Sequence, residues 1–80
     1  MSERSRFVWR CRRGTKELDI IFERFMASGF DALSERERAL FERLLDAEDD
    51  RLQAWLLGLD RPQDEELAGL VERIANSPRR

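Results

Sequence analysis

The sequence contains no histidine, which removes the usual general base near neutral pH, the Ser-His-Asp and Cys-His arrangements, and the imidazole ligands of most transition-metal and haem sites. Its one cysteine, Cys11, cannot close an intramolecular disulfide, and without histidine the common zinc spacings are unavailable. No stretch approaches the roughly 18 apolar residues of a membrane span, and no Gly-rich dinucleotide fingerprint is present. Nor does any segment alternate with period two for long enough to form a strand. With disulfides, metal and sheet set aside, helix packing must hold the chain together, and no enzymatic activity is expected.

What is present is charge. Of 80 residues, 40% are charged and 41% hydrophobic, enough for one small core. Residues 1–16 hold six basic side chains (Arg4, Arg6, Arg10, Arg12, Arg13 and Lys16) against Glu3, a local +5. Residues 17–80 therefore carry −7 of the total of −2. A basic head on an acidic body admits three readings: an Arg-rich targeting presequence, a nucleic-acid arm, or a docking surface for an acidic partner. The first is disfavoured, because Phe7, Val8, Trp9 and Cys11 run straight into a helical pattern without a cleavage-like linker. The expected protein is soluble and cytoplasmic, a setting that suits an unpaired cysteine.

Apolar spacing is helical throughout and predicts an all-α fold, a compact bundle of five short helices forming a single domain over residues 1–80, with flexible ends at 1–4 and 76–80. The first helix is predicted from Ser5 to Arg13, with Phe7, Val8 and Cys11 on one side and Trp9 displaced from them. Gly14 ends it and Thr15 caps the next. That second helix carries Leu18, Ile21, Phe22, Phe25 and Met26 on a core face and closes at Ser28-Gly29. Ser34-Glu35-Arg36-Glu37 is a capping box opening a third helix with Leu40, Phe41, Leu44 and Leu45 inward. A fourth follows the acids Asp46 to Asp50, with Leu52, Trp55, Leu56 and Leu59 inward, and a fifth follows Pro62, with Leu67, Leu70, Val71 and Ile74 inward. The acids belong at a helix start, where the dipole favours them, and no EF-hand loop accompanies them, so no metal site is expected.

The densest polar feature is Cys11-Arg12-Arg13-Gly14-Thr15-Lys16-Glu17-Leu18-Asp19. Much of it is helix punctuation: basic residues at one helix end, glycine as the stop, threonine as a cap, acids in the next first turn. Punctuation does not require two arginines before an exposed glycine with a carboxylate one turn away. As a polar knob, these residues would offer a guanidinium fork to a partner's carboxylate or carbonyls, while Gly14 admits the partner's backbone. Cys11 has no resolving partner and is read as packed rather than redox-active.

The stretch Arg6-x-x-Trp9-x-x-x-Arg13-Gly14-x-x-Glu17-Leu18-Asp19 resembles the SdhE family, the flavinylation (FAD assembly) factors of succinate dehydrogenase, whose hallmark is Arg-Gly-x-x-Glu. Leu44-Leu45 before an acidic turn, Trp55-Leu56 shortly before a glycine, and a last helix after a proline extend the resemblance over nearly the whole chain. Thr15 departs from the methionine more usual at that place. The resemblance implies a chaperone-like protein that binds the flavoprotein subunit of succinate dehydrogenase, and often that of fumarate reductase, and promotes covalent attachment of FAD to a histidine there. It places Arg13, Gly14 and Glu17 in the motif, with Arg6 and Trp9 as supports or contacts. The expected partner surface is Arg13, Gly14, Glu17, Arg6, Trp9, Arg10, Arg12 and Asp19, on a monomer that holds no FAD stably by itself. Two rivals remain. A nucleic-acid module would use the Arg-rich first helix on phosphates, but its corner is flanked by Glu17 and Asp19 and no helix carries groove-reading residues. An antitoxin would need a disordered wrapping segment, which this pattern does not offer.

Overall fold

Among the described residues, five α-helices form where the apolar spacing places them: α1 Glu3–Cys11, α2 Lys16–Ser28, α3 Glu35–Leu45, α4 Asp49–Leu56 and α5 Glu65–Ala75, with a 3₁₀ turn at Phe30–Ala32 between α2 and α3. The computed structural model describes residues 2–77. Met1 and residues 78–80, part of the ends expected to be flexible, lie outside the described residues. Within those ends, Ser2 caps α1 and the Asn76 N–H closes α5 on the Glu72 carbonyl at 3.0 Å.

Each helix boundary has a local cause. α1 begins two residues earlier than the spacing suggested, because the Ser2 hydroxyl accepts from the Ser5 N–H at 3.1 Å and Glu3 sits in the first turn. It also ends earlier, since Arg12 is already extended (φ −85°, ψ 100°). Gly14 then adopts φ +86°, the left-handed conformation that reverses the chain into α2. Ser34 and Glu37 make both halves of the capping box. Asp64 caps α5 by accepting from the Glu66 and Leu67 N–H groups.

The core is a phenylalanine cluster centred on Phe41, which Phe7 stacks on at 5.1 Å and Phe25 meets edge-on at 5.4 Å, with Phe22 and Phe30 beside them. The buried faces of α2, α3 and α5 match the sequence reading, with Leu40, Leu67 and Trp55 only partly buried at its margin. Four positions differ. Leu59, expected inward, is 79% exposed: α4 stops at Leu56, Gly58 turns left-handed at φ +78°, and helical spacing no longer applies beyond it. Val8 lies at the edge of α1's buried stripe and is exposed. Phe30 and Leu33, which belong to no predicted helix, are buried by the 3₁₀ turn. α1 and α2 pack as an antiparallel hairpin, α3 lies against α1 and α5, and α4 against α2 and α5.

Candidate partner-binding corner

The α1–α2 corner is built around Arg13, and its guanidinium points into the fold. Nε donates to the Asp49 carboxylate at 2.8 Å, Nη1 to the carbonyls of Arg10 and Leu45 at 3.1 and 3.0 Å, and Nη2 to the carbonyl of Ala47 at 2.9 Å. Its side chain is only 17% exposed. The fork expected to engage a partner's carboxylate and carbonyls instead engages those of its own chain. The reason lies in helix chemistry: carbonyls in the last turn of a helix have no intrahelical partner, and one planar cation takes those of Arg10 from the end of α1, Leu45 from the end of α3 and Ala47 from the turn beyond it. Asp19 is likewise turned inward, accepting the Arg13 backbone N–H at 2.8 Å. Thr15 stands at the N-cap of α2, yet its hydroxyl makes no capping bond and is buried without a partner.

The rest of the basic head is largely neutralised in the same direction. Arg6 pairs with Glu42 at 2.9 Å, Arg10 with Asp46 at 2.5 Å and Arg13 with Asp49 at 2.8 Å, while Glu3 pairs with Arg38. These four pairs form a ladder, each joining residues 35 or 36 apart, so α1 and α3 run side by side in the same direction. Arg4 reaches the other way, to Asp31 at 2.9 Å and the Met26 carbonyl at 2.7 Å. Among the described residues, Arg12 and Lys16 are the cations of this head without an ion pair, and both are exposed.

What the corner displays is therefore narrower than the eight positions read from the sequence. Gly14 is bare: a Cβ there would meet nothing within 4 Å. Trp9 stands 66% exposed on the outer face of α1, and Glu17 and Arg12 are exposed beside the turn. Arg6 and Arg10 are partly accessible but held by Glu42 and Asp46. The sequence reading missed the acids Glu42, Asp46 and Asp49 that anchor the corner. Their constant separation from the arginines was the available signal, though it acquires meaning only once α1 is known to lie parallel to α3.

Burial pushes the Cys11 thiol up to about 12, against the opposing charges of Arg13 and Arg10, so it stays protonated and inert near neutral pH. Among the described residues no group of His, Cys, Asp and Glu side chains is placed to hold a metal ion, and no helix is long and apolar enough to cross a membrane. What is exposed suits docking: an aromatic ring on α1, then a cation and a carboxylate, unpaired among the described residues, flanking a glycine on a stapled corner.

Comparison with known proteins gives the chain its relatives. A family model described as the flavinator of succinate dehydrogenase matches residues 5–78. The chain is 42% identical over 71 residues to the FAD assembly factor SdhE of Idiomarina loihiensis, covering 89% of this chain and 79% of that protein. It is equally similar, at 42% over 74 residues and 92% of both chains, to the FAD assembly factor SdhE of Legionella pneumophila strain Lens. A third relative, the FAD assembly factor SdhE of Xylella fastidiosa strain 9a5c, is 42% identical over 77 residues, 96% of this chain and 79% of its own.

Proposed function

The chain belongs to the family of succinate dehydrogenase flavinators, and on that premise we propose that it is an assembly factor, not an enzyme, which binds the flavoprotein subunit of succinate dehydrogenase and promotes covalent attachment of FAD to it. The observation that carries this reading is the Gly14 corner. A left-handed glycine with open space above it stands in the turn between exposed Arg12 and Glu17, with exposed Trp9 on the helix that leads into it, and the Arg13 staple fixes the turn's shape. A surface of that kind gains affinity by being ordered before the partner arrives. It would hold the partner in the geometry in which the partner's own histidine meets the flavin methyl group, leaving the chemistry to the flavin and its subunit.

Several finer points belong to the same proposal. FAD stays with the partner, since this chain offers no Gly-rich phosphate loop. The protein acts as a cytoplasmic monomer, with the flavoprotein of fumarate reductase as a second client. The nucleic-acid rival loses its main support, because Arg6, Arg10 and Arg13 already face carboxylates of α3 and α4. The test mixes the purified protein with the unflavinylated subunit and FAD and follows covalent flavin by in-gel fluorescence. Wild type should raise the yield. Gly14→Arg, which places a long side chain on the bare corner and strains its left-handed backbone by about 1 to 2 kcal/mol, should remove that gain while keeping a native circular dichroism spectrum at the assay temperature. Wild type acting no better than buffer would sink the reading.

A further inference from the structure

On the side of α1 away from α3, the α1–α2 hairpin leaves a groove of about 440 Å³. Its floor is apolar: Val8 and Cys11 from one helix, Met26 and Ala27 from the other. One wall follows Arg4 and Val8 along α1 and ends at Arg12 in the extended turn just past that helix; the other follows Asp19, Glu23 and Ala27 along α2 at the i, i+4, i+8 spacing of a helix face. Arg4 and Asp19 are engaged within the fold, by Asp31 with the Met26 carbonyl and by the Arg13 N–H. Arg12 on one rim and Glu23 on the other make no ion pair among the described residues. The groove is therefore apolar at its base and carries one unneutralised charge of each sign on opposite rims.

We infer that this groove docks an amphipathic helix of the flavoprotein subunit, with its apolar stripe on Val8, Met26 and Ala27, a carboxylate facing Arg12 and a cation facing Glu23. This rests on the function proposed above and extends it from the corner to the segment that seats beside it, because Arg12 and Asp19 lie at the corner end of the groove. The occupant is a helix for a physical reason. Both walls are helices whose backbone N–H and C=O groups are already paired, so an extended segment would find no ladder to join and would bury its own polar backbone unsatisfied. A helix brings its backbone hydrogen bonds with it. From Asp19 to Ala27 the α2 wall spans about 12 Å, room for roughly two turns. The opposed charges also fix the side on which the incoming helix carries its acid, and hence its orientation.

The experiment measures binding of the unflavinylated flavoprotein subunit to wild type and to surface variants that retain the native circular dichroism spectrum and melting temperature. Ala27→Trp fills the groove from an exposed position and should weaken binding at least about tenfold. Glu23→Arg sets like charges against the incoming cation and should weaken it about fivefold, more steeply at low salt. Ala39→Trp, on the exposed face of α3 outside the groove, should bind as wild type does. If Ala27→Trp and Glu23→Arg bind normally while Gly14→Arg does not, the groove is empty in the complex and only the corner reading survives. A wild-type protein that does not bind the subunit at all removes both. A dimer of the isolated chain that Ala27→Trp dissociates would assign the groove to a second copy and overturn the inference.

Discussion

Arg13 illustrates how a single side chain can be decided by the helix ends around it. Three carbonyls and a carboxylate converge on its guanidinium, and the side chain is mostly withdrawn from water. Arg13→Lys keeps the charge but has one nitrogen where four acceptors wait. We expect a loss of about 2 to 3 kcal/mol in urea unfolding, because buried carbonyls lose their donors. Partner binding should fall alongside stability. Cys11 makes a second prediction at this scale, with its sign set by burial. Its thiol is raised from 9.0 to about 12 in the fold, so above pH 9 the unfolded chain releases a proton that the native chain keeps. Stability should therefore decline as pH rises from 9 towards about 12, and Cys11→Ala should flatten that limb of the pH profile relative to wild type.

At the scale of the element, two glycines in ordinary helical surroundings behave oppositely. Gly69 lies inside α5, where a Cβ would meet nothing within 4 Å, so Gly69→Ala should stabilise the protein by about 1 kcal/mol through helix propensity. Gly29 ends α2 with the Phe25 ring 2.7 Å from where a Cβ would stand, so Gly29→Ala should lower the melting temperature. Thermal unfolding of the two variants beside wild type settles both. The same scale shows what could be read in advance. The capping box at Ser34 and Glu37 and the buried stripe of α2 are local facts of spacing, and the structure repeats them. Leu59 was misread because a left-handed Gly58 cancels the period beyond it. Phe30 escaped because a single 3₁₀ turn leaves no periodic trace. The inward turn of Arg13 was not legible either, since it depends on where α3 ends in space, not on any neighbour in sequence.

At the scale of the whole molecule, the basic head and acidic body are two sides of one contact. α1 contributes only Phe7 and Cys11 to the buried core, and four ion pairs join its outer edge to α3 and α4. Partly exposed pairs of this kind contribute at most about 1 kcal/mol each and are screened by salt. Raising NaCl from about 0.01 M to about 1 M shrinks the Debye length from about 30 to about 3 Å. Amide exchange should then speed up more in α1 than in the core-lined α2. Equal salt sensitivity of the two helices would show that the ladder contributes nothing to holding α1. A gel-shift series at low salt is expected to show no nucleic-acid complex, because the head's charge is mostly engaged at home.

The ladder also has a meaning for lineage and for engineering. Its interval of 35 or 36 residues measures a phase between two helices more than a length of chain. A residue added in the link between α2 and α3 leaves every rung facing its mate, provided the link closes again. A residue added inside α1 between Arg6 and Arg10 turns the rungs beyond it by about 100° and sends Arg13 away from the carbonyls it staples. Tolerance to insertion should therefore be sharply discontinuous along the chain, high in the links and nearly absent within α1, and the Gly14 corner would be lost to a change that never touched it.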